Sequence, residues 1–175
     1  MEMSKFVKKL LSLYFILILI LFITGCGIKK ESIKWFDYYH EYLESFPSNL
    51  EKEIDEFGKT KFEWDSKNLY VTKNNERTIL YNGMPIWNVY FYDLNKDGYR
   101  ELCSTISIGS GIVDDRIIVY DYHNSKLYEL SDRGNFDYIL KLENDKLMVE
   151  KRIYSKEEVI NYGELVLIND KLSIK

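Results

Sequence analysis

Three kinds of hydrophobic pattern follow one another along the chain. Leu10 to Ile23 is an apolar run of fourteen residues broken only by Ser12 and Tyr14. From Ser32 the spacing turns helical, with Trp35, Tyr39, Tyr42 and Phe46 four, three and four residues apart and Phe36 and Leu43 widening the stripe. Pro47 ends that helix, because the residue before a proline is pushed out of the α region. Ser48 and Glu51 then form a capping box for a shorter helix that turns Leu50, Ile54 and Phe57 inward and stops at Gly58. His40 falls on the solvated side of the first helix.

From Lys61 onward the period is two, and turn residues arrive at short intervals. Strands are expected at Lys61 to Ser66, Leu69 to Lys73, Thr78 to Tyr81, Trp87 to Asp93, Glu101 to Ile108 and Arg116 to Tyr122. Five more follow, at Lys126 to Leu130, Phe136 to Leu142, Lys146 to Tyr154, Glu164 to Ile168 and Leu172 to Ile174. Asn-Asn, Asn-Gly, His-Asn-Ser, Glu-Asn-Asp and Asn-Asp pieces between them are hairpin material. The expected fold is therefore mainly β (α+β): an antiparallel β-meander forming a curled sheet or sandwich, with one or two N-terminal helices packed on it. Trp87 to Asp93, Glu101 to Ile108 and Arg116 to Tyr122 form its centre. They carry few polar positions on either side, so both faces need cover, and the N-terminal helices would supply one. The unit does not repeat in sequence, which disfavours a full propeller at this length.

Composition sharpens this only in places. Apolar residues make up 46% of the 175, ordinary for a folded domain. Net charge is −4, and more negative once Lys5, Lys8 and Lys9 leave with a leader, so no nucleic-acid partner is expected. Only Cys26 and Cys103 are present, too few for a zinc cluster or a disulfide framework. Fourteen helical residues span about 21 Å, short of the roughly 30 Å hydrocarbon core, so Lys5 to Ile23 reads as a secretory leader.

Ile23-Thr24-Gly25-Cys26-Gly27 resembles the lipobox of bacterial lipoproteins. The resemblance implies removal of residues 1–25, acylation of Cys26 with diacylglyceryl and amide-linked chains such as palmitate, and a lipid anchor at the extracytoplasmic face of the cell membrane. Residues 26–32 would then be a tether, 33–58 a helical segment and 59–175 the β domain. Two or more chains give stable anchoring, at about 0.8 kcal/mol per buried methylene.

The candidate chemistry lies in Phe91-Tyr-Asp-Leu-Asn-Lys-Asp-Gly-Tyr-Arg-Glu-Leu102. With Asp93 at position one, Asn95, Asp97 and Glu101 fall at three, five and nine, the Tyr99 carbonyl at seven, and Gly98 in the bend. Alternate oxygens between two strands are what a calcium ion needs, since it takes about six to eight of them at roughly 2.3–2.6 Å. The expected cofactor is thus a structural calcium ion at loop 93–101. Position twelve, where an EF-hand has its bidentate Glu, is Ser104, and the flanks are strands.

The loop resembles the D-x-N-x-D-G-x-x-E/D-L turn of FG-GAP and VCBS-type β modules, in which a metal ties a turn between strands. The wider stretch from Met84 to Tyr122, followed by Leu127 to Tyr138, is similar to an uncharacterised extracytoplasmic domain of small Firmicute lipoproteins. That domain is also found C-terminal to some BlaR1-like, M56-type membrane sensors. The HExxH motif and transmembrane helices of the M56 part are absent from this sequence, so no peptidase activity is implied. What is implied is an accessory or sensory module.

Gly109-Ser110-Gly111 with Asp114 and Asp115 is a candidate ligand loop, or equally a hairpin connection. Cys103 reads as a buried structural thiol rather than a nucleophile served by His123. Tyr90, Tyr92, Tyr120 and Tyr122 would form a sugar-stacking face only if they shared one exposed surface; core packing is the plainer reading. The expectation is a non-enzymatic, calcium-stabilised binding or sensing module, its partners the membrane and an envelope protein or polysaccharide. The alternatives are a cell-envelope hydrolase, with Asp114, Asp115 or Glu101 as acid and base, and a purely structural lipoprotein.

Overall fold

The computed structural model describes residues 30–41 and 47–175. Cys26 and the leader, and Tyr42, Leu43 and Phe46 of the expected helix, lie outside the described residues. No helix among the described residues is long and apolar enough to cross a membrane.

Among the described residues, thirteen strands run in antiparallel order. They are β1 (Ile33–Asp37), β2 (Leu50–Glu53), β3 (Lys61–Trp64), β4 (Asn68–Lys73), β5 (Glu76–Asn82), β6 (Asn88–Tyr92) and β7 (Glu101–Ile108). Then come β8 (Asp114–Asp121), β9 (Lys126–Leu130), β10 (Phe136–Glu143), β11 (Lys146–Ile153), β12 (Val159–Ile168) and β13 (Lys171–Ile174). Asn-Asn and Asn-Asp turns do what their chemistry allows: Asn74 and Asn75, Asn144 and Asp145, and Asn169 and Asp170 all take positive φ, the geometry of two-residue hairpins.

Three successive meanders emerge, β2 to β5, β6 to β9 and β10 to β13, the middle one extended by β1 alongside β6. The middle sheet separates two cores. Val89, Phe91, Leu102, Ile106 and Ile118 face one of them, with Phe62, Trp64, Leu69 and Val71 opposite. Tyr90, Cys103, Ile117 and Val119 face the other, against Leu140, Leu147, Val149 and Leu165. Two-sided burial of the central strands is thus as their patterning requires, but the cover is a sheet on each side.

The N-terminal helices are corrected. Ile33–Asp37 is a strand paired with β6, and its register shifts between Lys34 and Phe36. That irregularity turns the successive rings Trp35 and Phe36 toward the same core, where they meet edge to face at 5.4 Å. A bulge breaks the period of two, so Trp35 and Phe36 do not alternate as strand neighbours ordinarily would. Leu50–Glu53 is likewise a strand, paired with β3, and only Asp55–Phe57 makes a single 3-10 turn before Gly58 at φ +68°. Leu50, Ile54 and Phe57 do join the core, but from a strand and a turn.

The β10 to β13 sheet is stitched to the middle sheet by side chains. Leu140 donates its N–H to Thr105 Oγ1 at 2.8 Å, and its carbonyl accepts from Asn88 Nδ2 at 2.9 Å. Asn88 Oδ1 in turn accepts the Thr105 N–H at 2.6 Å. Asn88 and Thr105 are fully buried, and they satisfy the free edge of β10 where a neighbouring strand would otherwise be needed.

Candidate functional site

Loop 93–100 joins β6 to β7, and its short polar side chains fold it by capping its own amides. Asn95 Oδ1 accepts the Asp97 N–H at 2.8 Å, Asp97 Oδ1 accepts the Tyr99 N–H at 2.8 Å, and Asp93 Oδ2 accepts the Gly98 N–H at 3.2 Å. Glu101, the first residue of β7, reaches back so that its Oε2 accepts the Leu94 N–H at 2.7 Å. Lys96 and Gly98 take φ of +63° and +90°; at Gly98 that conformation suits glycine, with open space around it.

The outcome is convergence: one oxygen each from Asp93, Asp97 and Glu101 lies within 4.8 Å of the others. Asp93 Oδ1 is buried and, among the described residues, has no hydrogen-bond partner. Glu101 is 1% exposed, and burial, opposed by the Leu94 N–H but reinforced by the charges of Asp121 and Asp97, pushes its carboxyl up to about 8. Among the described residues no Lys or Arg is ion-paired with these carboxylates. An all-oxygen, all-acidic donor set with an orphaned oxygen can hold a hard divalent cation.

Two residues beyond the loop belong to the same cluster. Asp121, 2% exposed, accepts the Asn124 N–H and Nδ2, each at 2.8 Å, from the turn between β8 and β9. Asn124 Nδ2 also reaches Asp97 Oδ2 at 3.3 Å. Asn95 is set differently from its expected role: its amide bridges Asp97 at 3.0 Å and Asp121 at 3.4 Å, and its oxygen caps the loop. The side chain of Tyr99 leaves the cluster and stacks on His123, ring centroids 3.8 Å apart and planes 6° from parallel. Asp121 and Asn124 lie too far along the chain for loop spacing to reveal them; only the pairing of β7 with β8 brings them here.

The other candidates separate. Gly109 takes φ +123°, and a Cβ there would stand 2.1 Å from the Ile112 carbonyl oxygen, so the 109–113 segment is a tight strand connection. Ser110 and Gly111 are exposed in it. Asp114 is buried and neutralised by Arg116 at 2.8 Å, with Arg133 at 3.7 Å. Asp115 points the other way and accepts from the Ser107 hydroxyl; burial, then the charge of Asp137, raises its pKa. Adjacent on β8, Asp114 and Asp115 therefore do not share a site. Cys103 is a buried free thiol whose pKa burial raises, in the core away from His123. Tyr90 is buried, donating to Asp37 Oδ2 at 2.6 Å, while Tyr120 and Tyr122 pack on the opposite core, so the four tyrosines share no exposed face.

Comparison of the chain with protein-family models, with curated proteins and with solved structures finds no match.

Proposed function

We propose that this chain is a calcium-stabilised binding or sensing module, held by a lipid anchor at Cys26 on the outer face of the cytoplasmic membrane. The observation that carries the metal reading is the meeting of the Asp93, Asp97 and Glu101 carboxylates with no cation paired to them among the described residues. Calcium would bind to those three residues and offset their repulsion, fastening the end of β6 to the start of β7. The FG-GAP and VCBS-like spacing of the loop supports the same reading.

The tether supports the placement. Ile33 pairs with Phe91, two residues before Asp93, so the chain enters the domain at the end of the middle sheet where the metal loop sits. Residues 26–32 reach at most about 25 Å when extended. The loop end of the domain would thus face the bilayer.

Thermal melting of the full chain tests the metal. At free calcium ten times the dissociation constant the expected gain is about 1.4 kcal/mol, or roughly 3–6 °C over the chelated protein. Equal melting temperatures in calcium and chelator would refute it. Cys26→Ser tests the anchor: the protein should leave the membrane fraction unprocessed by lipoprotein maturation, and retention at wild-type level with wild-type processing would count against lipidation.

A further inference from the structure

Beside the metal loop lies an open cavity of about 470 Å³, lined by Glu56, Phe57, Lys73, Tyr99, Tyr122, His123 and Ser125. Three connections and a strand end meet there: β2 to β3, the metal loop, β8 to β9, and the end of β4 at Lys73. Its aromatic surfaces are ordered. Phe57 meets Tyr122 edge to face at 5.3 Å, and the Tyr99 and His123 rings form the parallel stack described above.

The polar lining is not self-satisfied. Among the described residues, no hydrogen bond or ion pair holds the Lys73 ammonium, the Tyr99 and Tyr122 hydroxyls, the His123 ring or the Ser125 hydroxyl. The one carboxylate in the wall, Glu56, is already neutralised twice: by Arg100 Nη1 at 2.7 Å and by Lys30 at 2.9 Å. The cavity therefore offers aromatic rings, of which Tyr99 lies on His123 and has the Lys30 ammonium 5.1 Å from its centroid, together with free hydroxyls and, among the described residues, one unpaired cation and no unpaired anion. Hydroxyl groups and aromatic planes suit the polar edge and the apolar face of a sugar ring, and the cation suits an acidic substituent on it.

The stack is hung from the acidic cluster on both sides. The Tyr99 N–H is held by Asp97 Oδ1, and Asn124, between His123 and Ser125, is held by Asp97 and Asp121. A cation that fixes Asp97 fixes the aromatic wall of the cavity. From this geometry we infer that the cavity binds a saccharide bearing a carboxylate or phosphate, and that a metal ion in loop 93–101 strengthens this binding. The second half rests on the calcium reading above. By linkage, the sugar must strengthen calcium binding by the same factor.

Titration of the full chain in detergent, followed by calorimetry, tests it with glucuronic acid, glucose 6-phosphate, glucose and inorganic phosphate, each in calcium and in chelator. At least one acidic sugar should bind about tenfold more tightly than glucose, the range of one charge-assisted contact. Lys73→Ala and Tyr99→Ala, both at exposed or rim positions, should each lose about tenfold while keeping the wild-type melting temperature in calcium. Chelator should weaken binding about fivefold or more. Preference for glucuronic acid or for glucose 6-phosphate distinguishes the two acidic groups. Equal binding of glucose, or an unaffected Lys73→Ala, overturns the inference, and inorganic phosphate binding as well as glucose 6-phosphate overturns its saccharide part. A calcium-raised melting temperature with no sugar bound overturns the cavity and leaves the metal site standing. Sugar binding unchanged in chelator, with no calcium effect on melting, overturns the metal reading and the coupling.

Discussion

Replacing Glu101 by glutamine isolates the electrostatic cost that the metal is proposed to relieve. Burial lifts this carboxyl from 4.5 to about 8 in the metal-free fold. Below pH 4.5 the group is protonated in the folded and unfolded chains alike, so its contribution to stability is fully present. Between 4.5 and 8 the unfolded chain gives up the proton while the folded one keeps it, and stability falls as pH rises; above 8 the loss is complete. At about 1.36 kcal/mol per unit, the loss between pH 5 and pH 8 is roughly 3–4 kcal/mol. The amide introduced by Glu101→Gln keeps an oxygen for the Leu94 N–H and does not titrate. In chelator, the melting temperature of Glu101→Gln relative to wild type should therefore rise by about 10 °C from pH 5 to pH 8. Comparing the pair at each pH cancels the other titrating groups. Calcium at pH 8 should narrow the gap, by about 3–6 °C at ten times the dissociation constant, because it stabilises wild type more than the variant. A difference between the two proteins that stays constant from pH 5 to pH 8 would show that Glu101 is not held neutral, and the reasoning would fail.

Asn88→Ala should cost about 3 kcal/mol in urea unfolding, because it strands the buried Thr105 N–H and Leu140 carbonyl that join the sheets; a loss under about 1 kcal/mol would mean the edge of β10 finds other partners. Gly109→Ala should cost at least about 2 kcal/mol, since both its φ of +123° and the 2.1 Å approach to Ile112 oppose a Cβ. Gly111→Ala, with open space and no positive φ, should stay within about 0.5 kcal/mol, and similar losses for the two variants would refute the difference.

What the sequence determined by itself was local. Period-two alternation placed eleven strands between Lys61 and Ile174, two with their ends at the same residues, Glu101 to Ile108 and Lys126 to Leu130. Asn and Asp, which tolerate positive φ, marked the hairpins, and the spacing of Asp93, Asp97 and Glu101 was enough to bring their oxygens together, because loop geometry is set over a few residues. At Trp35 and Phe36 the aromatic spacing misled, since a bulge beside β6 satisfies these rings as well as a helix would, and only the availability of that sheet edge decides between them. Tertiary structure alone decided what covers the two faces of the middle sheet. It alone brought Asp121 and Asn124 to the acidic cluster, and it alone walled a cavity from three separate turns and the end of β4. Each of these depends on which distant strands lie side by side, and that choice follows from the total burial of apolar surface rather than from any short stretch of chain.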